Sequence, residues 1–396
     1  MKHIEDFDFK DKKVIVRVDF NAPQNEQHRV MDTTRIYGVK PTIDKIIADG
    51  GSVILMTHLG RPNGSPNDDY SLRHILPDVS DALGMDVRFV ADIFGEKAQK
   101  ACSEMDMGEV ILLENLRFSP FEELWDRTFA RKLANLGDFY VNDAFGSAHR
   151  SHASITGIPE FFPEQKCFGI LMRKEIDSIE KVLKHWEHPV TAILGGAKIS
   201  TKIPIIENIL PAIDNLIIGW GMAYTFIAAL WGRVGDSLCE REHLDLAREI
   251  LRLAEERGIS VHLPKDSIVT NEFRNNGEAR VVSSDDIEDG WMALDIGEQA
   301  ISEFRDVILS SKTVLWNGPL WVFELSSFSK WTQKIGDTIR ETLGLGIFSL
   351  VWGGDSVAFV KQYGYEDAVS YVSTGGGAML EFLEWKSLPG IQAILN

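Results

Sequence analysis

The feature that most constrains this chain is a repeated pair: a short apolar run rich in β-branched residues, then a longer amphipathic stretch. VIVRVD (14–19), SVILMT (52–57), VRFV (87–90), VILLE (110–114) and FYVND (139–143) form one series. VTAIL (190–194), NLIIG (215–219), ISVHLP (259–264), TVLWN (313–317) and FSLVW (348–352) form a second. Runs that are apolar on both faces belong to strands covered on both sides, as in a parallel sheet. The pieces between them, such as PTIDKIIADGG and the segment from Trp125 to Leu136, supply covering helices. The pattern predicts an α/β protein of two doubly wound parallel-sheet domains, each with about five strands.

The boundary is expected in the region 160–190, where PEFFPEQ and KHWEHP flank the polar helix LMRKEIDSIEKVLK. The expected division is an N-terminal domain over 1–165, a connecting hinge helix over 166–188, a C-terminal domain over 189–372 and a final segment over 373–396. A deep cleft would lie between the domains. A chain of 396 residues, 44% hydrophobic and 25% charged, has the length and apolar content for two cores.

A net charge of −18 opposes binding to nucleic acid or to an anionic membrane surface. Cys102, Cys167 and Cys239 are odd in number and irregular in spacing, which suggests neither a disulfide framework nor a zinc site. The N-terminus, MKHIEDFDFKDKK, is too charged for a signal peptide, so a cytoplasmic protein is expected. Asn215 to Gly232 carries no Asp, Glu, Lys or Arg, and its length approaches that of a membrane span. Its three glycines, with Asn215, Tyr224 and Thr225, favour a buried strand, a turn and a buried helix instead.

In open α/β sheets ligands bind beyond the carboxyl ends of strands. In the first half those positions hold Asp19 and Asn21, then His58, Leu59, Gly60 and Arg61, then Arg117, then His149 and Arg150, while Arg35 opens a helix. Four arginines and two histidines thus share one rim of an acidic protein. Guanidinium forks suit phosphate and carboxylate oxygens. Pairing with the domain's own carboxylates explains any one of them; their shared position favours an anion site. In the second half glycine loops follow the strands: LGGAKIS with Lys198 and Lys202, WGGDS, and STGGGA. Bare backbone N–H groups at a helix start bind phosphate. No GxxxxGK[ST] loop occurs, and a single glycine run is weak evidence, since glycine also caps helices.

VDFNAP, HLGRP, ENLRF, VNDAFGSAHRSHAS, LGGAKIS, GMAYTF, WNGP, GGDS and STGGGAMLEFLE stand in the order in which the phosphoglycerate kinase family carries its motifs, and the chain resembles that family, of bacterial type, over essentially its whole length. The resemblance implies reversible phosphoryl transfer between 1,3-bisphosphoglycerate and ADP, with Mg²⁺ and ATP or ADP, by a cytoplasmic monomer that closes about a hinge. It implies small-molecule substrates, no nucleic acid and no membrane. It assigns Asp19, Asn21, Arg35, His58, Leu59, Gly60, Arg61, Arg117, His149 and Arg150 to 3-phosphoglycerate. It assigns Arg35, Lys198, Gly353 and Gly376 to the transferring group. Lys198, Lys202, Ala293, Asn317, Glu324, Gly353, Gly354, Asp355 and Ser356 would hold the nucleotide, and Asp355 would help place magnesium. The last segment would cross back onto the first domain.

The departures from the family pattern gather in the nucleotide half. Trp220, Trp321 and Trp352 stand where the pattern has glycine, and Ala293 also replaces one. Trp231, Trp331 and Trp385 again stand where glycine is usual, and Trp125 where a small residue is common. Glycine at such places permits a left-handed backbone or close approach of a ligand. Trp220 and Trp321 could fill the space adenine would take, or form a changed wall beside it. The alternative function is therefore a catalytically impaired relative that binds 3-phosphoglycerate behind a blocked nucleotide pocket. A dinucleotide oxidoreductase is disfavoured, because no GxGxxG opens the first helix after a strand.

Overall fold

The structure, a computed structural model, describes residues 3–184, 187–275, 277–318, 325, 328, 330–373, 375, 378–379 and 388–396; at 181–184 and 330–332 it describes the backbone alone. The chain gathers into two compact units, Met1–Asp177 with Trp385–Asn396, and Ser178–Glu384. The division falls inside the helix Ile170–Lys184.

The first unit is built on six parallel strands: β1 (Lys13–Val18), β2 (Ser52–Met56), β3 (Val87–Val90), β4 (Val110–Leu113), β5 (Phe139–Asp143) and β6 (Lys166–Phe168). Their order is β3-β4-β2-β1-β5-β6. β1 lies between β2 and β5, with Ile15 facing Ile54 on one side and Tyr140 on the other. Val14, Ile15, Val16 and Val18 are fully buried, as are Val53, Ile54 and Leu55 on β2. Each such side chain contributes roughly 1.5–3 kcal/mol by leaving water. The chain first builds outward from one side of β1 and later from the other, so a crevice opens at the carboxyl ends of β1 and β5.

The second unit repeats the plan. Its strands are β7 (Val190–Leu194), β8 (Asn215–Ile218), β9 (Arg233–Val234), β10 (Ser260–His262), β11 (Asp266–Thr270), β12 (Ala279–Ser283), β13 (Asp286–Ile287), β14 (Met292–Ile296), β15 (Thr313–Asn317), β16 (Phe348–Trp352) and β17 (Tyr371–Val372). Six of them make a parallel sheet in the order β10-β8-β7-β15-β16-β17. Here the reversal lies beside β7, between it and β15. β12-β11-β14 form a separate antiparallel sheet, and β9 pairs with β13.

All ten predicted runs contain a strand. β6 and β17, at one edge of each main sheet, were not predicted; three and two residues are too few to register as a run. The small antiparallel sheet was also missed, because β12 is largely exposed and lacks an apolar run. The uncharged stretch 215–232 divides into β8 and the ten-residue helix Trp220–Ala229, buried on nearly every side. Among the described residues no helix is long and apolar enough to cross a membrane.

Candidate functional site

In the first unit the loops after β1, β2, β4 and β5 join through their own polar groups. Asp19 Oδ1 accepts the Asn21 amide at 3.2 Å, and its Oδ2 accepts the Ser147 hydroxyl at 3.2 Å. Arg35, second residue of the helix Thr34–Ala48, donates to the Asn21 carbonyl at 2.9 Å and lies 3.5 Å from Asp19. Asn21 Oδ1 accepts the Gly60 amide at 2.8 Å. Gly60 has φ +61°, and a β-carbon there would sit 2.2 Å from Tyr70 Cε1, so the turn after β2 requires glycine. Asn115 fixes Leu59 in both directions, accepting its N–H at 3.2 Å and donating to its carbonyl at 2.8 Å.

Arg117 donates from Nη1 to the Gly60 carbonyl at 2.7 Å, and its Nε lies 3.1 Å from Glu123. The side chain is 3% exposed, and its buried Nη2 finds no hydrogen-bond partner among the described residues. His58 is also buried, and its Nδ1 lies 3.2 Å from Arg17 Nη2. Burial holds the His58 imidazole well below its ordinary range; Arg17, Arg117 and Arg150 push the same way against Asp19. Burial and the charges of Arg117, Arg17 and Arg150 likewise bring His152 down to about 3, with His149 adding to them. Positive charge from two loops and a strand therefore converges on one spot. Arg61 is exposed and forms no hydrogen bond or ion pair among the described residues.

In the second unit Lys202 Nζ donates to Asn317 Oδ1 at 2.5 Å. Asn317, at the end of β15, donates from Nδ2 to the Trp352 carbonyl at 2.9 Å, tying β15 to β16. Ser356 Oγ accepts the Gly318 amide at 2.5 Å and donates to the Trp352 carbonyl at 3.0 Å. Gly353 (φ +95°) turns the chain into the helix Gly354–Gln362, with Asp355 in its first turn. A β-carbon at Gly353 would come 2.7 Å from Asn317 Nδ2. Burial lowers the Lys202 ammonium from its ordinary value, and Asp355 opposes the shift. Lys198 is exposed, and its carbonyl accepts the Thr201 hydroxyl at 2.9 Å. Ala293 lies apart from this network, on β14, and donates its amide to Ser237 Oγ at 3.0 Å. Glu324, Gly376 and Trp321 fall outside the described residues.

Trp220 opens its helix at φ +51° and packs against a small apolar cluster around Leu294 and Phe328, with Met292, Ile268 and Leu325. Trp352 is fully buried, and its Nε1 has no hydrogen-bond partner among the described residues.

Sequence reasoning missed Arg17, His152, Glu122 and Ser147. Arg17 did carry a signal, as the one charge inside an otherwise apolar buried strand. Glu122 gave none, because only the fold buries it beside Ser154, whose N–H it accepts at 2.9 Å.

The phosphoglycerate kinase family model matches residues 4–386. A phosphoglycerate kinase of Porphyromonas gingivalis is 49% identical to the chain over 99% of each. Among solved structures, a phosphoglycerate kinase from Coxiella burnetii aligns with a TM-score of 0.86 at 33% identity, covering 100% of this chain and 98% of that one. One from Pyrococcus horikoshii aligns with a TM-score of 0.85 at 30% identity, again over 100% and 98%.

Proposed function

The chain belongs to the phosphoglycerate kinase family, and from that premise we propose which of its residues carry the reaction. It catalyses reversible phosphoryl transfer between 1,3-bisphosphoglycerate and ADP, giving 3-phosphoglycerate and ATP. The acid is held by the first unit, through Arg35, His58, Arg61, Arg117, His149 and Arg150, with Asp19, Asn21 and the Leu59–Gly60 turn fixing that set. The observation that carries this assignment is the buried Nη2 of Arg117, a charged donor with no acceptor among the described residues. A buried donor left unmatched costs free energy, and a carboxylate or phosphate oxygen would supply its partner.

The nucleotide phosphates are held by the second unit, through Lys198, Lys202, Asn317, the Gly353–Gly354 turn and Ser356. Support comes from a lysine whose ammonium is partly withdrawn from water beside a helix start with open backbone amides. Glu324 would face the ribose, Ala293 the adenosine, and Gly376 the transferring group. Both reacting oxygens are anionic, so the protein's task is to position them and to neutralise charge as transfer proceeds. Arg35 and Lys198 would serve the transferring group. Asp355 is an exposed carboxylate close enough to Lys202 to act on it electrostatically, and hard oxygen donors suit magnesium. It would hold the ion together with phosphate oxygens, and the ion would supply charge neutralisation there. A cytoplasmic monomer fits the acidic surface and the three free cysteines.

No finding supports a chain that has kept the acid site and lost the nucleotide. The test is steady-state turnover with ATP, Mg²⁺ and 3-phosphoglycerate, coupled to a dehydrogenase that consumes the product. Robust turnover that Arg35→Ala abolishes is expected. Background turnover from folded wild-type protein, or full activity of the Arg35 variant, would overturn the respective assignment.

A further inference from the structure

Arg17 sits on β1 and is fully buried. Its three nitrogens are all engaged. Nε donates to Ser154 Oγ at 2.9 Å, Nη1 donates to the Val18 carbonyl, and Nη2 lies 3.2 Å from His58 Nδ1. Ser154 is locked in turn by the buried Glu122, to which its hydroxyl donates at 2.5 Å and its amide at 2.9 Å. The guanidinium is a donor only and does not lose its proton in proteins. In its bond to Nδ1 it must therefore be the donor, so Nδ1 carries a lone pair and the proton of a neutral imidazole sits on Nε2.

We propose that Arg17 is a positioning residue for the acid site: held by Ser154 and Glu122, it fixes His58 in the Nε2–H tautomer, so that His58 offers a donor and not an acceptor to the anionic substrate. This rests on the assignment of His58 to 3-phosphoglycerate. The arrangement suits a crowded cationic site. A second imidazolium proton would add charge beside Arg17, Arg117 and Arg150 and would break the bond to Arg17. The wrong tautomer would turn a lone pair toward a carboxylate or phosphate. His58 Nε2 has no hydrogen-bond partner among the described residues.

The experiment is ¹⁵N imidazole spectroscopy of the full-length protein at neutral pH, with and without 3-phosphoglycerate, on wild type and Arg17→Lys. The expected wild-type result is a neutral His58 protonated at Nε2, with that nitrogen shifting on addition of 3-phosphoglycerate. In Arg17→Lys a mixture of tautomers is expected, with KM for 3-phosphoglycerate raised about tenfold and KM for ATP unchanged. An Nδ1–H tautomer or an imidazolium in wild type overturns the proposal. So does Arg17→Lys with unchanged tautomer and KM. A correct tautomer whose shift ignores 3-phosphoglycerate overturns the assignment of His58 to the acid, which is a separate failure. The wild-type spectrum needs no variant, so it decides the tautomer even if Arg17→Lys does not fold.

A second, independent observation concerns the backbone. Trp125 (φ 54°), Trp220 (φ 51°) and Trp231 (φ 72°) all adopt left-handed conformations. The other non-glycine residues that do so among the described ones are Asp11, His28 and Asn63, types that visit this region several-fold more readily. A bulky side chain there is an outlier, and three in one chain, all of one rare type, share a cause. Trp352 adds a fully buried indole N–H without an acceptor among the described residues. We infer that positions 125, 220 and 231 are glycine in the protein its source makes, through a codon that the source's translation apparatus assigns to glycine and that the sequence renders as tryptophan. Peptide mass spectrometry of the protein purified from its source decides this. Glycine at the three positions is expected; tryptophan there overturns the inference.

Discussion

Lys202 Nζ rests on Asn317 Oδ1 at 2.5 Å, and the same asparagine holds the Trp352 carbonyl with its amide at 2.9 Å. The lysine is thus tethered to the point where β15 and β16 end. Lys202→Ala is expected to lower kcat/KM for ATP by roughly 10- to 100-fold, the worth of a charge-assisted hydrogen bond. KM for 3-phosphoglycerate should stay within a factor of about two. Steady-state kinetics with each substrate varied checks this, and an unchanged ATP dependence would remove Lys202 from the phosphate site.

Arg117 offers the converse case. Arg117→Met keeps an unbranched apolar stem and removes every donor. KM for 3-phosphoglycerate is expected to rise by about 10- to 100-fold, with the ATP parameters intact. The Gly60 carbonyl loses its partner as well, so urea unfolding should show a loss of ~1–2 kcal/mol. Equal damage to both substrates would point to a folding defect and not to a lost anion contact.

Asp143 ends β5 fully buried and accepts the Met172 amide at 2.8 Å, while its Oδ2 has no hydrogen-bond partner among the described residues. Burial pushes its carboxyl up to about 7 against the pull of these hydrogen bonds. A carboxyl whose folded value is raised is penalised when ionised. That penalty is absent below about pH 4, grows as pH rises through about 7, and is constant above. Asp143→Asn escapes it. The variant is expected to gain stability relative to wild type between pH 5 and pH 8, read by urea denaturation at both. A stability difference that does not change with pH would show that Asp143 does not titrate in this window.

Trp231 is 87% exposed with φ +72°, and the Arg248 guanidinium lies over its ring at 5.0 Å. Trp231→Gly and Trp231→Ala both lose that contact, so their difference isolates the backbone. Glycine is expected to be the more stable by ~1 kcal/mol, because alanine retains the β-carbon that left-handed φ disfavours. The same pair at Trp125 should agree, although both variants there also lose the 2.7 Å bond from Trp125 Nε1 to the Thr156 hydroxyl. Alanine equal to glycine at both sites would mean that the backbone there is not strained.

By itself the sequence determined the α/β class, the ten strands with long apolar runs, and the polar residues at their carboxyl ends. Those are local properties: burial on both faces demands unbroken apolar runs, and a strand's end is visible where the run stops. It also supplied Gly60 and Gly353, because a turn that no side chain tolerates leaves its mark as glycine. Tertiary structure alone decided which of those residues meet. Arg17 reads as a stray charge in β1 until Ser154 and His58, 137 and 41 residues away in sequence, close around it. Nothing local in the sequence marks Glu122 or Asp143 as a shifted acid; folding buries them, and that burial shifts their protons. Hydrophobic period is written residue by residue, whereas hydrogen bonds and electrostatic shifts depend on neighbours that the chain brings together from far along its length.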